Sequence, residues 1–198
     1  MDAQTERDKM IAGQLYRASD AELVAARIRA RRFVLAYNAT DPEAGEERRV
    51  LLTGLLAHLG DRAIIEPPFH CDYGWNILLG AGAYVNVKCV ILDCAPVAIG
   101  AGAMLGPGVQ LCAATHPVDP GERQRGLEYA LPIVVGKNVW IGASVVVGPG
   151  VTVGDNSTIG AGSVVREVAA EVGADQGLAR DACDLHRGLV HVGDRALG

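Results

Sequence analysis

Val135, Ile141, Val147, Val153, Ile159 and Val165 stand six residues apart, and glycine follows the first five at 136, 142, 148, 154 and 160. Four positions after each of those five comes another small residue: Val139, Val145, Val151, Ser157 and Ser163. A helix would repeat its apolar face every three to four residues and an ordinary strand every two, so a period of six belongs to neither. It fits one short strand plus one sharp corner per hexad, with three hexads closing a triangular coil, the aliphatic pointing inward and the glycine admitting the corner dihedrals. The same register holds upstream in Leu79, Val85, Ile91 and Val97, then resumes after a two-residue slip in Ile99, Leu105 and Leu111. The pattern predicts a parallel β-helix of hexapeptide repeats over residues 61–166, each coil covering the edge of the next.

The rhythm stops between Leu111 and Val135, where "CAATHPVDPGERQRGLEYALPIV" holds three prolines, two glycines and several charges. This stretch is expected to leave the prism as an extended loop over 112–134, and a long excursion from a regular solenoid is usually functional. His116 lies inside it.

Residues 1–60 read as a helical segment. In "SDAE" at 19–22, Ser19 is placed to accept from the Glu22 amide as a capping box, and Leu23, Ala26, Ala30, Val34 and Tyr37 then form one apolar stripe. Asp41 and Pro42 read as the cap and first turn of a further helix that runs through "EAGEERRVLLTGLLAHLG" to Gly60.

Composition narrows the function. The chain has 198 residues, 49% of them hydrophobic but only 5% aromatic, with 25 glycines, so small branched aliphatics fill its interior. A net charge of -5 gives no basic surface for nucleic acid or an anionic membrane. The opening "MDAQTERDKM" is acidic where a secretory signal needs a positive flank, and no long uncharged apolar run follows, so a cytoplasmic protein is expected. Cys71, Cys89, Cys94, Cys112 and Cys183 are odd in number and lack CxxC spacing, which signals neither a disulfide frame nor a structural zinc site.

The segments "MIAGQLYRASDAEL", "RIRAR", "IEPPFHCDYGWNI", "ATHPVDP" and "PIVVGKNVWIGASVVVGPGVTVGDNSTIGAGSVV" together resemble the maltose and galactoside O-acetyltransferases of the hexapeptide acyltransferase superfamily, from about residue 8 to 166. The resemblance implies left-handed coiling, which would be an exception to the right-handed crossover rule. It further implies transfer of an acetyl group from acetyl-CoA to a sugar hydroxyl by a homotrimer with each site between neighbouring prisms. It places His116 on the catalytic histidine, and Arg27, Asp72, Asn86 and Asp93 on positions lining the acceptor pocket. Asn86 falls near the thioester as well, Ala143 and Ala161 where backbone groups meet the coenzyme, Trp140 close to its arm, and Arg166 among the coenzyme contacts. Glu128 is expected near the pocket rim. No metal is expected.

The chemistry suits these residue types. An alcohol attacking a thioester must lose its proton, and an imidazole with a pKa near neutrality can take it and return it to the departing thiolate. A main-chain amide at a glycine-rich corner, such as that of Ala143, can receive the oxyanion. Cys112, four residues before His116, raises a Cys–His nucleophile as an alternative. Arg27 and Asp93 have structural alternatives, an ion pair and a turn, and Trp140 one in packing; His58, His70, His186 and His191 match no site and read as surface. A zinc hydratase on the same prism would need three converging histidines. A scaffold without coenzyme binding and a transferase for a non-sugar alcohol are the other readings. The tail over 167–198 diverges: where relatives carry a turn, a strand and a proline corner, this chain reads "EVAAEVGADQGLARDACDLHRGLVHVGDRALG", which puts in doubt the cap on the last coil and the coenzyme contacts usually made there.

Overall fold

A computed structural model describes residues 4–166 and the pair 190–191. The chain folds as a parallel β-helix of five coils with helices at its N-terminal end. Three inward columns of side chains define three faces. On the first face Leu59, Leu79, Ile99, Val135 and Val153 stack in register. On the second stand Ile65, Val85, Leu105, Ile141 and Ile159. On the third stand Cys71, Ile91, Leu111, Val147 and Val165. All but Leu59 and Val165, one at each end of the stack, are buried. Because each strand pairs with its equivalents above and below, burial and backbone pairing are both satisfied by stacking.

The glycines after the aliphatics do a different job from the one expected. None of Gly136, Gly142, Gly148, Gly154 and Gly160 has positive φ. The left-handed residue sits two positions further on, for example Asn138, Ser144, Gly150, Asn156 and Gly162. At Gly136 and Gly142 the glycine is needed for close approach instead: a Cβ on Gly142 would lie 2.5 Å from the Ala161 nitrogen of the next coil, whereas Gly148, Gly154 and Gly160 have no neighbour nearer than 3.4 Å.

The prism also starts earlier than expected. The helix after Asp41 is Gly45–Leu55, Asp41 instead accepting from the Glu43 amide at 2.8 Å in a local turn, and His58–Leu59 is already the first strand. Leu59, Ile65 and Cys71 form a complete coil. The preceding helix, Ala21–Asn38, is capped by Asp20 and not by Ser19, its carboxylate accepting from the Glu22 and Leu23 amides. Its buried stripe is the expected Leu23, Ala26, Ala30, Val34 and Tyr37. Asn38 closes the bottom coil by mimicking a strand, donating to the Phe69 carbonyl and accepting from the Phe69 amide, both at 2.9 Å.

The two-residue slip now has a place. Leu59 to Leu79 and Leu79 to Ile99 are each twenty residues, Val135 to Val153 eighteen. The surplus falls at the edge where the third face turns into the first, in the corners 72–76 and 93–96. Strands Ile77–Leu79 and Val97–Ile99 take up the change with both end residues inside. The long excursion leaves from the same edge one coil higher. It is not a bare loop: Ala114–Thr115 pairs antiparallel with Leu127–Ala130 around a short helix, Pro120–Gln124, and Tyr16–Arg17 adds a third strand. Of the divergent tail, Val190–His191 pairs antiparallel with Thr158–Ile159, and the rest lies outside the described residues, as do Cys183 and His186. No helix among the described residues is long and apolar enough to cross a membrane.

Candidate active site

Three successive elaborations of one edge bring the first group of residues together. His116 follows Thr115 at the end of its strand and is exposed. Its strand pairs Ala114 with Ala130 and Thr115 with Tyr129, and the paired register ends there, one residue before His116 and one residue after Glu128. Glu128 pairs in turn with Tyr16, whose buried hydroxyl donates to Glu128 Oε2 at 3.0 Å. A carboxylate and a phenol from distant parts of the chain thus form one cross-strand pair, with the histidine at the end of the adjoining strand.

Below that hairpin lies Asp72, in the corner 72–76 of the first coil. Burial pushes its carboxyl up, while the Cys94 thiol, donating at 3.5 Å, and the Arg27 and Arg31 guanidiniums pull it down. Arg27 donates to the Tyr73 hydroxyl at 2.6 Å and to the Ala18 carbonyl at 2.5 Å, so the corner is tied to the turn before the long helix. A cavity of about 400 Å³ opens beside Asp72, with Arg31, Asn38 and His70 among its polar lining and Leu35 and Leu92 among its apolar lining.

Asp93 does not fit a direct contact with an acceptor. It is fully buried, and its carboxylate accepts from the amides of Asp72, Tyr73 and Asn76. Burial nonetheless raises its carboxyl to about 6 against those amide bonds. Cys112 does not fit a nucleophile, because burial and the Asp72 charge push its thiol up and disfavour the thiolate. Among the described residues of one chain no three His, Cys, Asp or Glu side chains converge as metal ligands.

The second group stands elsewhere. Asn86, Ala143 and Ala161 follow strands Tyr84–Val85, Trp140–Ile141 and Thr158–Ile159, on the edge where the second face turns into the third. Asn86 Oδ1 accepts from the Val87 amide at 2.8 Å. Among the described residues the amides of Ala143 and Ala161 donate to no backbone carbonyl. They sit on adjacent coils, about 4.8 Å apart by strand spacing. Trp140 points outward from the second face and is half exposed, and Arg166 lies back on the first group's edge at the fifth coil. The whole third face separates the two groups within one chain.

Residues 9–60 match the maltose acetyltransferase hexapeptide capping motif, and residues 132–167 match the bacterial transferase hexapeptide of six repeats. The nodulation protein L of Rhizobium meliloti (strain 1021) is 48% identical over 138 residues, covering 70% of this chain and 75% of the relative. The structure of a maltose O-acetyltransferase from Clostridium difficile 630 superposes with a TM-score of 0.81 at 41% identity, over 83% of this chain and 88% of the other. The chain belongs to the maltose and galactoside O-acetyltransferase family. It is an acetyltransferase of the hexapeptide-repeat type. A galactoside acetyltransferase solved in complex with coenzyme A superposes with a TM-score of 0.78 at 36% identity, over 82% of this chain and 84% of the other.

Within this acetyltransferase, Tyr16, Arg31, Tyr73 and Cys94 had no signal in the sequence. Each reaches the site through contacts between distant coils or with the N-terminal segment, which no period of six can carry. One consequence of the glycine geometry is testable here. Gly142→Ala forces a methyl against the backbone of the coil above and should destabilise the fold by about 1–3 kcal/mol. Urea unfolding reads the effect.

Proposed function

We propose that this acetyltransferase moves the acetyl group of acetyl-CoA directly to a hydroxyl of a sugar acceptor, with His116 as general base. The acceptor oxygen attacks the thioester carbonyl as the His116 imidazole takes its proton, and the C–S bond then breaks with the proton passing to the coenzyme thiolate. The Ala143 amide receives the negative charge on the carbonyl oxygen. Asp72 and Arg27 offer an acceptor and donors for sugar hydroxyls, which orient the attacking group more than they bind it. The observation that carries this reading is the exposed imidazole at the end of the hairpin strand Ala114–Thr115, on the edge whose lower corner holds Asp72 and the Tyr73 hydroxyl bound by Arg27.

The coenzyme half of the site, with Asn86, Ala143 and Ala161, belongs in this reading to a neighbouring copy. One edge of a chain must then meet a different edge of the next, a head-to-tail contact that closes as a ring, and a three-sided prism fits a homotrimer. Coenzyme A in a solved relative supports the donor. The test is thiol release from acetyl-CoA across a panel of monosaccharides, disaccharides and non-sugar alcohols, with the acetylated product identified by mass. Release with sugars is expected. No release with any acceptor overturns the enzyme reading in favour of a scaffold, and equal rates with simple alcohols overturn the sugar assignment.

A further inference from the structure

Asp93 is the most completely engaged carboxylate among the described residues. Its Oδ1 accepts from the Asp72 and Tyr73 amides at 3.1 and 2.8 Å, its Oδ2 from the Asn76 amide at 3.3 Å, and Asn76 Nδ2 donates back to the Asp93 carbonyl at 2.8 Å. These bonds join a corner of the second coil to the corner 72–76 of the first. That lower corner has no regular ladder of its own, because it carries the surplus residues that break the hexad.

We propose that Asp93 is a positioning residue for the acceptor, acting through the backbone of the corner 72–76. Two side chains leave that corner toward the edge that holds His116. Asp72 meets the Cys94 thiol, and the Tyr73 hydroxyl receives Arg27, which also grips the Ala18 carbonyl. A carboxylate accepting several amides fixes the direction of each Cα–Cβ bond leaving them, and a misplacement of about 1 Å at a reacting group can lower rate on the order of a hundredfold. The buried charge is therefore kept for aim. Burial opposes it, and a corner held only for packing could be filled with an apolar side chain. This role rests on the transferase reading above.

The test uses the full chain. Asp93→Ala should lower kcat/KM for the acceptor on the order of tenfold to a hundredfold, chiefly through kcat, while KM for acetyl-CoA stays within about twofold, since the Ala143 and Ala161 amides lie on the other edge. Asp93→Asn keeps one oxygen for the Asp72 and Tyr73 amides and should recover most of the loss. Trp75 lies in the same corner, so in a Trp140→Phe background its emission reports the corner directly and without turnover. Asp93→Ala should shift that emission, and Asp93→Asn should restore it. Unchanged acceptor kinetics or unchanged Trp75 emission in Asp93→Ala overturns the proposal, as does a parallel loss for donor and acceptor. Inactive parent protein defeats the transferase reading by itself, and the fluorescence result then decides whether Asp93 sets the corner.

Discussion

Replacing His116 with alanine should reduce kcat by about two to four powers of ten while coenzyme A still binds with unchanged affinity. The imidazole stands exposed at the end of a hairpin strand and makes no hydrogen bond that the hairpin needs among the described residues, so its removal should leave the fold alone. Burst and steady-state thiol release give the rate, and calorimetry with coenzyme A gives the affinity. The same variant tests where the site is assembled. His116 and Asn86 lie on different edges of one prism, so His116→Ala and Asn86→Ala chains, each impaired alone, should recover activity when refolded together. Some interfaces in the mixture then join an intact His116 edge to an intact Asn86 edge. Absence of recovery would place both residues of one site in one chain, against the separation of the two edges.

Leu111→Ala should be the most damaging single change to stability, at about 2–5 kcal/mol. Leu111 is fully buried in the third column, between Ile91 and Val147, and the hairpin departs one residue later. Interiors of this kind are close-packed, and the stacked strands above and below cannot collapse into the gap without losing their ladder. At roughly 2–4 °C per kcal/mol for a chain of this size, the midpoint of thermal unfolding should fall by about 4–20 °C. Thr152→Ala, on the outward side of a first-face strand, should cost no more than about 0.5 kcal/mol in the same assay. A loss at Leu111 no larger than that at Thr152 would mean the columns are not where stability resides.

Much of the architecture was legible from spacing alone, because in a stacked coil every inward residue has the same local geometry and recurs in step. Val135 to Val165 and Leu79 to Leu111 all proved to be inward columns. The opening strand of the first coil was not legible, and the other two strands lay inside the expected span without being marked. Leu59 sat inside what read as a helix end, and Ile65 and Cys71 lack the glycine that marks later hexads. Placing the left-handed corner residue at the glycine was also wrong, since a sequence shows that a position must be small and not whether a Cβ would fail by dihedral or by collision.

The candidate site divides in the same way. The motif around His116 could be read because it interrupts a regular pattern, and its family matches could be carried position by position. Its setting could not. Asp93 above Asp72 joins two coils, Arg27 on Tyr73 joins the N-terminal segment to a corner of the first coil, and Tyr16 bonded to Glu128 joins that segment to a hairpin 112 residues away. Periodicity reports which residues face inward, a property each residue has locally. Which residues meet at an edge depends on how many residues each corner consumes, and only the closed, stacked chain determines that.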